Sequence, residues 1–567
     1  MNRPLSAIFS LSAFLSTFLF LSTFLIAFPR AAFGQSAQPA SADSQAQTQP
    51  SATKPPAFDI ADVEISAPRR YPYMSGGDLR GGRYIVRDAT VVDLIGAAYG
   101  LDPDSVLGGP AWLETDRFDV IAKAPPVTSP DALKLMLQSL LADRFKLVVH
   151  PDSKPLQVYV LSANGKPKLR ESSGSGNGRC QPETQNPPPP PGSVPQATVT
   201  CHGITMDALA GALHDMAGAY LDRTVVNSTG LDGTYDMDIK WTPRGALAQA
   251  GSDAITIFDA VDKQLGLKLD LQKVARPVLV VDSVNEKPTA NPPDVATILP
   301  PAPPAAFDVA VIKPTDPNNA NLIGRIDGAQ LSLQGATLKF LINFAWDLNP
   351  SDDEMLVNQP KWIEADHWDI IAKADIEAPA NGKRAPQLAQ EDLQQMLRAM
   401  LMDRFKMQAH MEDRPISAYT LVADKPKLTP GDPTDRTRCV EGRGKDGKDP
   451  RIANPILGRL LTCQNMSMAQ FAGMLTALAS GYIFVPVKDQ TGLTGGYDFT
   501  LSFSTAGQLA NAARPAAPPA DGNASDPSGA ISLLDAIHKQ LGLKLVKEIR
   551  PAPVLVIDHL EQKPTDN

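Results

Sequence analysis

Seven histidines are scattered through the 567 residues, and only His150 and His410 stand at matching places when the chain is laid against itself. Histidine is the side chain best suited to moving a proton near neutral pH, but it needs a partner that orients its ring. The nearest shared polar groups, Lys154 and Arg414, align only approximately, so both histidines read as partly exposed strand residues. Asp143-Arg144 and Asp403-Arg404 each close a helical stretch. A cation suits that end of a helix, and a structural ion pair is expected ahead of a carboxylate site. Asp236 and Asp498 follow a Tyr after a glycine turn. Either could hold a cation or a ligand amine, and bracing the turn is the simpler role. Trp112 and Trp362, behind Gly109-Pro110 and Gln359-Pro360, could wall a binding site, but core packing is the expectation.

Gly442-Arg443-Gly444-Lys445-Asp446-Gly447 spells Gly-x-Gly-x-x-Gly in a charged stretch with no counterpart in the first half. With neither a strand expected before it nor a helix after it, a nucleotide site is not assigned. Ser51-Ala52-Thr53-Lys54 matches Ser-x-x-Lys inside a stretch with almost nothing to bury. The sequence contains no Walker Gly-Lys-[Ser/Thr], no Gly-x-Ser-x-Gly elbow, no His-Glu-x-x-His and no haem-attachment motif. No catalytic, cofactor-binding or metal-ligating residue is assigned.

The four cysteines divide two to a half: Cys180 with Cys201, and Cys439 with Cys463. Matched placement makes one disulfide per half the natural pairing. Each would close a loop of about 20 residues and contribute roughly 3 kcal/mol. Neither pair has the close spacing or the paired histidines of a zinc site. The N-terminus fits an oxidising compartment. Arg3 precedes an apolar run from Leu5 to Phe28, and Ala32-Phe33-Gly34 offers a cleavage site. Residues 1–34 are expected to be a secretory signal peptide, with an uncleaved membrane anchor as the alternative. No later segment is long and apolar enough to cross a bilayer.

The elements that must position these residues are written twice. Leu133–Lys146 returns as Leu393–Lys406, keeping Leu-x-x-Met-Leu and Asp-Arg-Phe-Lys, and Lys263–Leu269 returns as Lys539–Leu545. Four amphipathic helices recur, marked by Val91/Leu94/Ile95/Ala98, Leu133/Met136/Leu137/Leu140/Leu141, Met206/Leu209/Ala210/Leu213 and Ile257/Val261/Leu265 in the first copy. Thr90, Thr205, Thr337 and Ser467 are N-cap candidates, and Gly266 and Gly542 are stops. Strands are expected at Phe118–Ala122, Lys146–Val149, Val158–Leu161, Tyr235–Trp241 and Val278–Val281, with partners in the second copy. The fold class is α+β (mixed α/β): two homologous tandem domains of short mixed sheets packed with amphipathic helices. The expected order is a signal peptide at 1–34, a disordered linker at 35–57, repeat 1 at 58–290, a Pro/Ala linker at 291–306 and repeat 2 at 307–567. Pro187–Pro191 and Asn511–Gly529 read as loop insertions.

Several of these motifs together resemble the soil-associated secreted family of Acidobacteria and related bacteria, a domain of unknown function. They are the opening Phe-Asp-[Ile/Val]-Ala, Trp112 and Trp362, Asp-Arg-Phe-Lys, Thr-Gly-Leu-x-Gly-x-Tyr-Asp, Gln-Leu-Gly-Leu-Lys-Leu, and the closing Val-[Val/Ile]-Asp and Lys-Pro-Thr. The resemblance spans nearly everything after Ala57 and departs from the family in standing twice. It implies a secreted protein without an established activity. Fusions of relatives to membrane metallopeptidases of the antibiotic-sensor type imply extracytoplasmic sensing or binding.

A net charge of −9 with 20% charged residues lacks the cationic footprint that nucleic acid requires. The expected function is therefore a non-enzymatic extracytoplasmic binding, sensing or interaction module, periplasmic or secreted, without a cofactor. The partner is not assigned from the sequence; a cell-envelope ligand and a membrane sensor protein are the candidates. The competing reading is a cell-envelope hydrolase, which would show two carboxylates about 5–10 Å apart across one cleft.

Overall fold

The computed structural model describes residues 55–565 except 68, 70–71, 173, 175–177, 184–192, 303–304, 318–319, 349–352, 377–387, 445–446 and 513–528. The expected signal peptide, the Ser51–Lys54 match, the Pro187–Pro191 tract and most of the Asn511–Gly529 insertion lie outside these residues. Twelve helices and 24 strands occur among the described residues, the strands in six four-stranded sheets, three to a copy. The architecture is α+β in two tandem copies.

In the first copy, Ile60–Ile65, Ser75–Arg80, Arg83–Thr90 and Arg117–Lys123 form an antiparallel sheet in the spatial order first, fourth, third, second. Arg117–Lys123 shows the period of two that a one-sided sheet requires: Phe118, Val120 and Ala122 are buried, and the residues between them are not. Helices Val91–Tyr99 and Pro130–Arg144 cover the buried face, and Thr90 opens the first of them with a capping box to Asp93. Phe118 meets Phe145 edge to face at 4.9 Å in the middle of this core.

Next comes a ribbon of two long antiparallel strands, Val148–Ala163 and Leu267–Ser283, paired over their whole length. The separate strands expected at Lys146–Val149 and Val158–Leu161 are the two ends of one strand, and Val278–Val281 is the end of the other. The ribbon serves two cores. Leu279 and Val281 seal the one just described, while Tyr159, Leu161, Leu267 and Leu269 belong to a second core with Leu209, Leu213 and Ile257. Its waist, Pro151 to Pro155, lies between the cores and faces solvent, so it carries no apolar period. Gln408–Ala423 and Leu543–His559 repeat the ribbon in the second copy.

Each copy is itself built twice. The second lobe of the first copy orders Arg170–Glu171, Arg179–Pro182, Ala197–Ile204 and Tyr235–Trp241 in the same first, fourth, third, second sequence. In all four lobes the third strand slips register against the fourth and turns left-handed near its end, at Asp88 (φ 50°), Gly203 (φ 59°), Gly335 (φ 67°) and Asn465 (φ 45°). The N–H at each turn is accepted by the aspartate that follows an aromatic on the fourth strand: Asp119 at 3.0 Å, Asp236 at 2.7 Å, Asp369 at 3.0 Å and Asp498 at 2.8 Å. Two residues later Thr90, Thr205, Thr337 or Ser467 caps a helix. After the last helix of each lobe, Lys146, Gly266, Lys406 or Gly542 takes a positive φ and turns the chain into the ribbon. Val106–Gly108 and Val225–Asn227, the short strands that follow the capped helices, flank the ribbon on opposite edges, so its sheet reads alike from either side.

The Asp–Arg ion pair expected at the helix ends does not form. Successive helical residues project about 100° apart, which leaves Asp143 exposed beside Lys146 at 3.6 Å while Arg144 is buried. The Arg144 guanidinium donates to the Ala61 carbonyl at 2.9 Å and to the carbonyl and hydroxyl of Thr289, each at 3.1 Å from Nε. It thereby fastens the edge strand and the closing Lys-Pro-Thr to the helix. Arg404 repeats this with Ala310 and Thr565. The Pro/Ala stretch after the first copy continues along that edge, where Val63 donates its N–H to the Asn291 side chain at 2.9 Å.

Candidate functional site

A cluster of charged side chains lies where the second copy meets the first. On the first copy, the turn Pro103–Ser105 presents Asp104 and the turn Ala111–Glu114 presents Glu114, on either side of the short strand Val106–Gly108. Asp222 and Arg223 stand in the loop before the other short flanking strand, and Tyr159 comes from the ribbon between them. Together they form a cleft across the ribbon sheet. Thr224 spans its two sides by donating to Asp102 at 2.7 Å.

An extended stretch of the second copy, 436–444, lies in this cleft. Thr437 donates its N–H to the Ala111 carbonyl at 3.0 Å. Arg436 donates to the Val106 carbonyl at 2.7 Å and pairs with Glu114 at 3.1 Å. Arg438 pairs with Asp104 at 2.8 Å and with Glu114 at 3.3 Å. Gly442 has φ 122°, and a Cβ there would meet Asp222 at 2.8 Å. That close approach lets Arg443 give Asp222 its own N–H at 2.8 Å as well as its guanidinium at 2.8 Å. The guanidinium carbon stands 5.5 Å from the centre of the Tyr159 ring, whose hydroxyl donates to the same Asp222 at 3.2 Å. Arg223 donates to the Arg443 carbonyl at 2.7 Å, and Arg244 pairs with the buried Asp449 at 2.9 Å.

Burial pushes the Asp104 carboxyl up, but the Arg438 charge and hydrogen bond outweigh it and hold the group below its usual range. The same balance, struck by Arg451 and Arg244, depresses Asp449. Burial pulls Arg436 down. The fit is incomplete: Glu114 Oε1, Arg436 Nη1 and Arg438 Nε are buried without a hydrogen-bond partner among the described residues. Glu114 Oε1 and Arg438 Nε keep their ion-pair partners, which leaves Arg436 Nη1 as the atom of the three that bears the cost of an unmet donor, on the order of 1–3 kcal/mol.

The counterpart face of the second copy is closed differently. Ile416, Ala418, Val485, Ala552, Val554 and Val556 pack there as a small apolar cluster. Val485 occupies the place of Arg223. Glu354 and Glu364 keep the carboxylates of Asp104 and Glu114, but they serve Ser417 and Lys339 of their own copy.

The other residues singled out in the sequence fall outside the cleft. His150 meets Asp282 at 2.9 Å and His410 meets Asp558 at 2.8 Å, so the two histidines do have a shared partner. It lies across the ribbon, in the Val-[Val/Ile]-Asp motif that both copies keep. Lys154 and Arg414 pair instead with Asp152 at 2.7 Å and Glu412 at 3.0 Å. Trp112 and Trp362 pack against the cores of their lobes. Asp236 and Asp498 hold strand N–H groups, as described. The glycine-rich stretch follows a strand, Arg438–Glu441, and precedes only the four-residue helix Pro450–Ala453. Its Arg443 is the residue in the cleft; Lys445 and Asp446 lie outside the described residues. Among the described residues no group of three or more His, Cys, Asp or Glu side chains is placed to hold a metal ion.

Each cysteine pair stands at disulfide distance on directly opposed strands, Cys180 with Cys201 and Cys439 with Cys463. The second pair holds the strand that carries Arg438. No curated protein and no solved structure matches the chain. The family model described as a protein of unknown function, DUF3738, matches residues 92–284 and 339–560, one match within each copy. The chain belongs to the DUF3738 family of proteins of unknown function and carries two tandem copies of its domain.

Proposed function

We propose that this chain is an extracytoplasmic binding or interaction protein rather than an enzyme, its two domains being residues 58–290 and 307–567. The observation that carries this reading is the cleft of the first copy, which holds an extended polypeptide by main-chain, ion-pair and cation–π contacts at once. A hydrolase would need converging carboxylates open to substrate. Asp104 and Glu114 do converge, but on the one guanidinium of Arg438. Two cysteine pairs at disulfide distance suit a periplasmic or secreted protein, as does the leader expected at 1–34. No helix among the described residues is long and apolar enough to cross a membrane.

The test is a thermal-shift screen of the chain from residue 35 onward against peptides, cell-wall fragments, sugars and β-lactams. A saturable rise in melting temperature with one class is the expected result. Turnover of any of these compounds, abolished by Asp104→Asn or Glu114→Gln, would overturn the reading in favour of the hydrolase.

A further inference from the structure

We infer that the cleft of the first copy is a recognition site for an arginine-bearing extended segment of a partner polypeptide, and that 436–444 of the second copy is its exchangeable occupant in cis. The inference rests on the binding reading above and adds the class of partner and a means of control.

Three observations carry it. The contacts are those of residue-by-residue recognition. Asp222 takes both the side chain and the N–H of Arg443, Arg223 takes its carbonyl, and Tyr159 lies against its guanidinium. A neutral residue or a lysine could not satisfy that set, because the fork of donors and the flat stacking surface belong to arginine. The occupant also fits imperfectly, since the buried Nη1 of Arg436 has no hydrogen-bond partner among the described residues and the ion pairs of Glu114 with Arg436 and Arg438 lack hydrogen-bond geometry at Glu114 Oε1 and Arg438 Nε. A segment that satisfied those atoms would compete for the same place. Finally, the equivalent face of the second copy is built differently. The apolar cluster around Val485 and Val554 closes it from within one copy. The first copy places Arg223 where the second has Val485, and 436–444 of its neighbour lies on that face.

The experiment uses the full chain and, as probe, a fluorescent synthetic peptide of residues 435–444 carrying Cys439→Ser. Replacing the cis occupant's anchors (Arg436→Ala, Arg438→Ala and Arg443→Ala together) should strengthen binding of the probe at least tenfold over the unaltered chain. Adding Asp222→Ala should remove that gain, and a probe with its arginines replaced by lysine should bind at least tenfold more weakly. A triple variant that melts cooperatively yet binds the probe no better than the unaltered chain overturns the inference. If a ligand class has meanwhile given a saturable thermal shift, the broader binding reading survives that outcome.

Should the triple variant fail to fold, hydrogen exchange on the unaltered chain decides. Residues 436–444 must exchange at least tenfold faster than Val148–Ala163. Exchange as slow as that ribbon strand makes the segment a fixed part of the fold and overturns the inference.

Discussion

Asp119 accepts the backbone N–H of Asp88 at 3.0 Å, at the point where the strand Arg83–Thr90 turns left-handed two residues before its helix cap. The carboxylate also takes Ser66 and Arg87. Burial pushes it up, yet these bonds outweigh burial and hold it below its ordinary range. Asp236, Asp369 and Asp498 do the same work in the other lobes. A hydrogen bond to a charged group contributes about 1.5–3 kcal/mol, so Asp119→Ala should lower unfolding stability by about 2 kcal/mol. Asp119→Asn, which keeps an acceptor, should cost less. Urea denaturation checks both, and a loss under 0.5 kcal/mol for the alanine variant would remove the clamp from the account.

Arg144 makes a second prediction. Lysine is long enough to reach one carbonyl but cannot serve Ala61 and Thr289 together. Arg144→Lys should therefore cost about 3 kcal/mol, close to the effect of Arg144→Ala, because a buried acceptor is left unmet in either case. Arg404→Lys should match it in the second copy. If either lysine variant melts like the parent chain, the arginine does not fasten the edge strand.

These two contacts mark how far the sequence could be read. The helices were legible because their apolar residues recur every three to four positions and their caps are Thr or Ser. The ribbon was not, because Pro151-Asp152-Ser153-Lys154-Pro155 spans solvent between two cores and carries no alternation. The duplication was visible where Asp-Arg-Phe-Lys and Gln-Leu-Gly-Leu return. The deeper one was hidden because its four lobes share geometry rather than residues: the left-handed turn is Asp88, Gly203, Gly335 or Asn465. The cleft was illegible for another reason. The arginines of 436–444 and the carboxylates they meet lie more than 200 residues apart in the chain, as Arg443 and Asp222 do. The one local signal was Gly442-Arg443-Gly444, which reads as an ordinary charged loop.

Acid should loosen the cleft. Asp104 and Asp449 are held below their unfolded values, near 4, so the unfolded chain takes up protons first as pH falls. Their contribution is complete above about pH 4 and is lost as pH drops through the folded values. Asp88 and Asp392, which burial pushes up, have the opposite sign and gain on acidification. Asp392 pairs with Arg80 and Glu391 with Arg69, which makes a second contact between the copies. The measurement is melting temperature between pH 2.5 and 6, with a fall below pH 4 that Asp449→Asn flattens. A profile that is level below pH 4, or that the variant leaves unchanged, would sink this assignment.

The two cysteine pairs should differ in their effects although they close loops of similar size, at sequence separations of 21 and 24. Each should contribute about 3 kcal/mol to its own lobe. Cys439→Ser with Cys463→Ser should also free the strand that carries Arg438, and so raise hydrogen exchange across 436–444. Cys180→Ser with Cys201→Ser should leave that segment untouched. Equal exchange in the two double variants would separate the bond from the cleft.

Gly442 and Gly447 allow the close approach to be tested apart from backbone strain. Both have positive φ, 122° and 69°, so alanine is strained at either place. At Gly447 an added Cβ meets nothing within 4 Å, whereas at Gly442 it meets Asp222 at 2.8 Å. Gly447→Ala should cost about 1 kcal/mol by conformational preference alone and leave the two copies coupled. Gly442→Ala should in addition push Arg443 off Asp222 and release the second copy's segment. Calorimetry is expected to show one unfolding transition for Gly447→Ala and two for Gly442→Ala, the copies melting apart once their contact is lost. A single transition in both variants would mean that the copies are joined chiefly elsewhere, through Glu391 and Asp392 against Arg69 and Arg80.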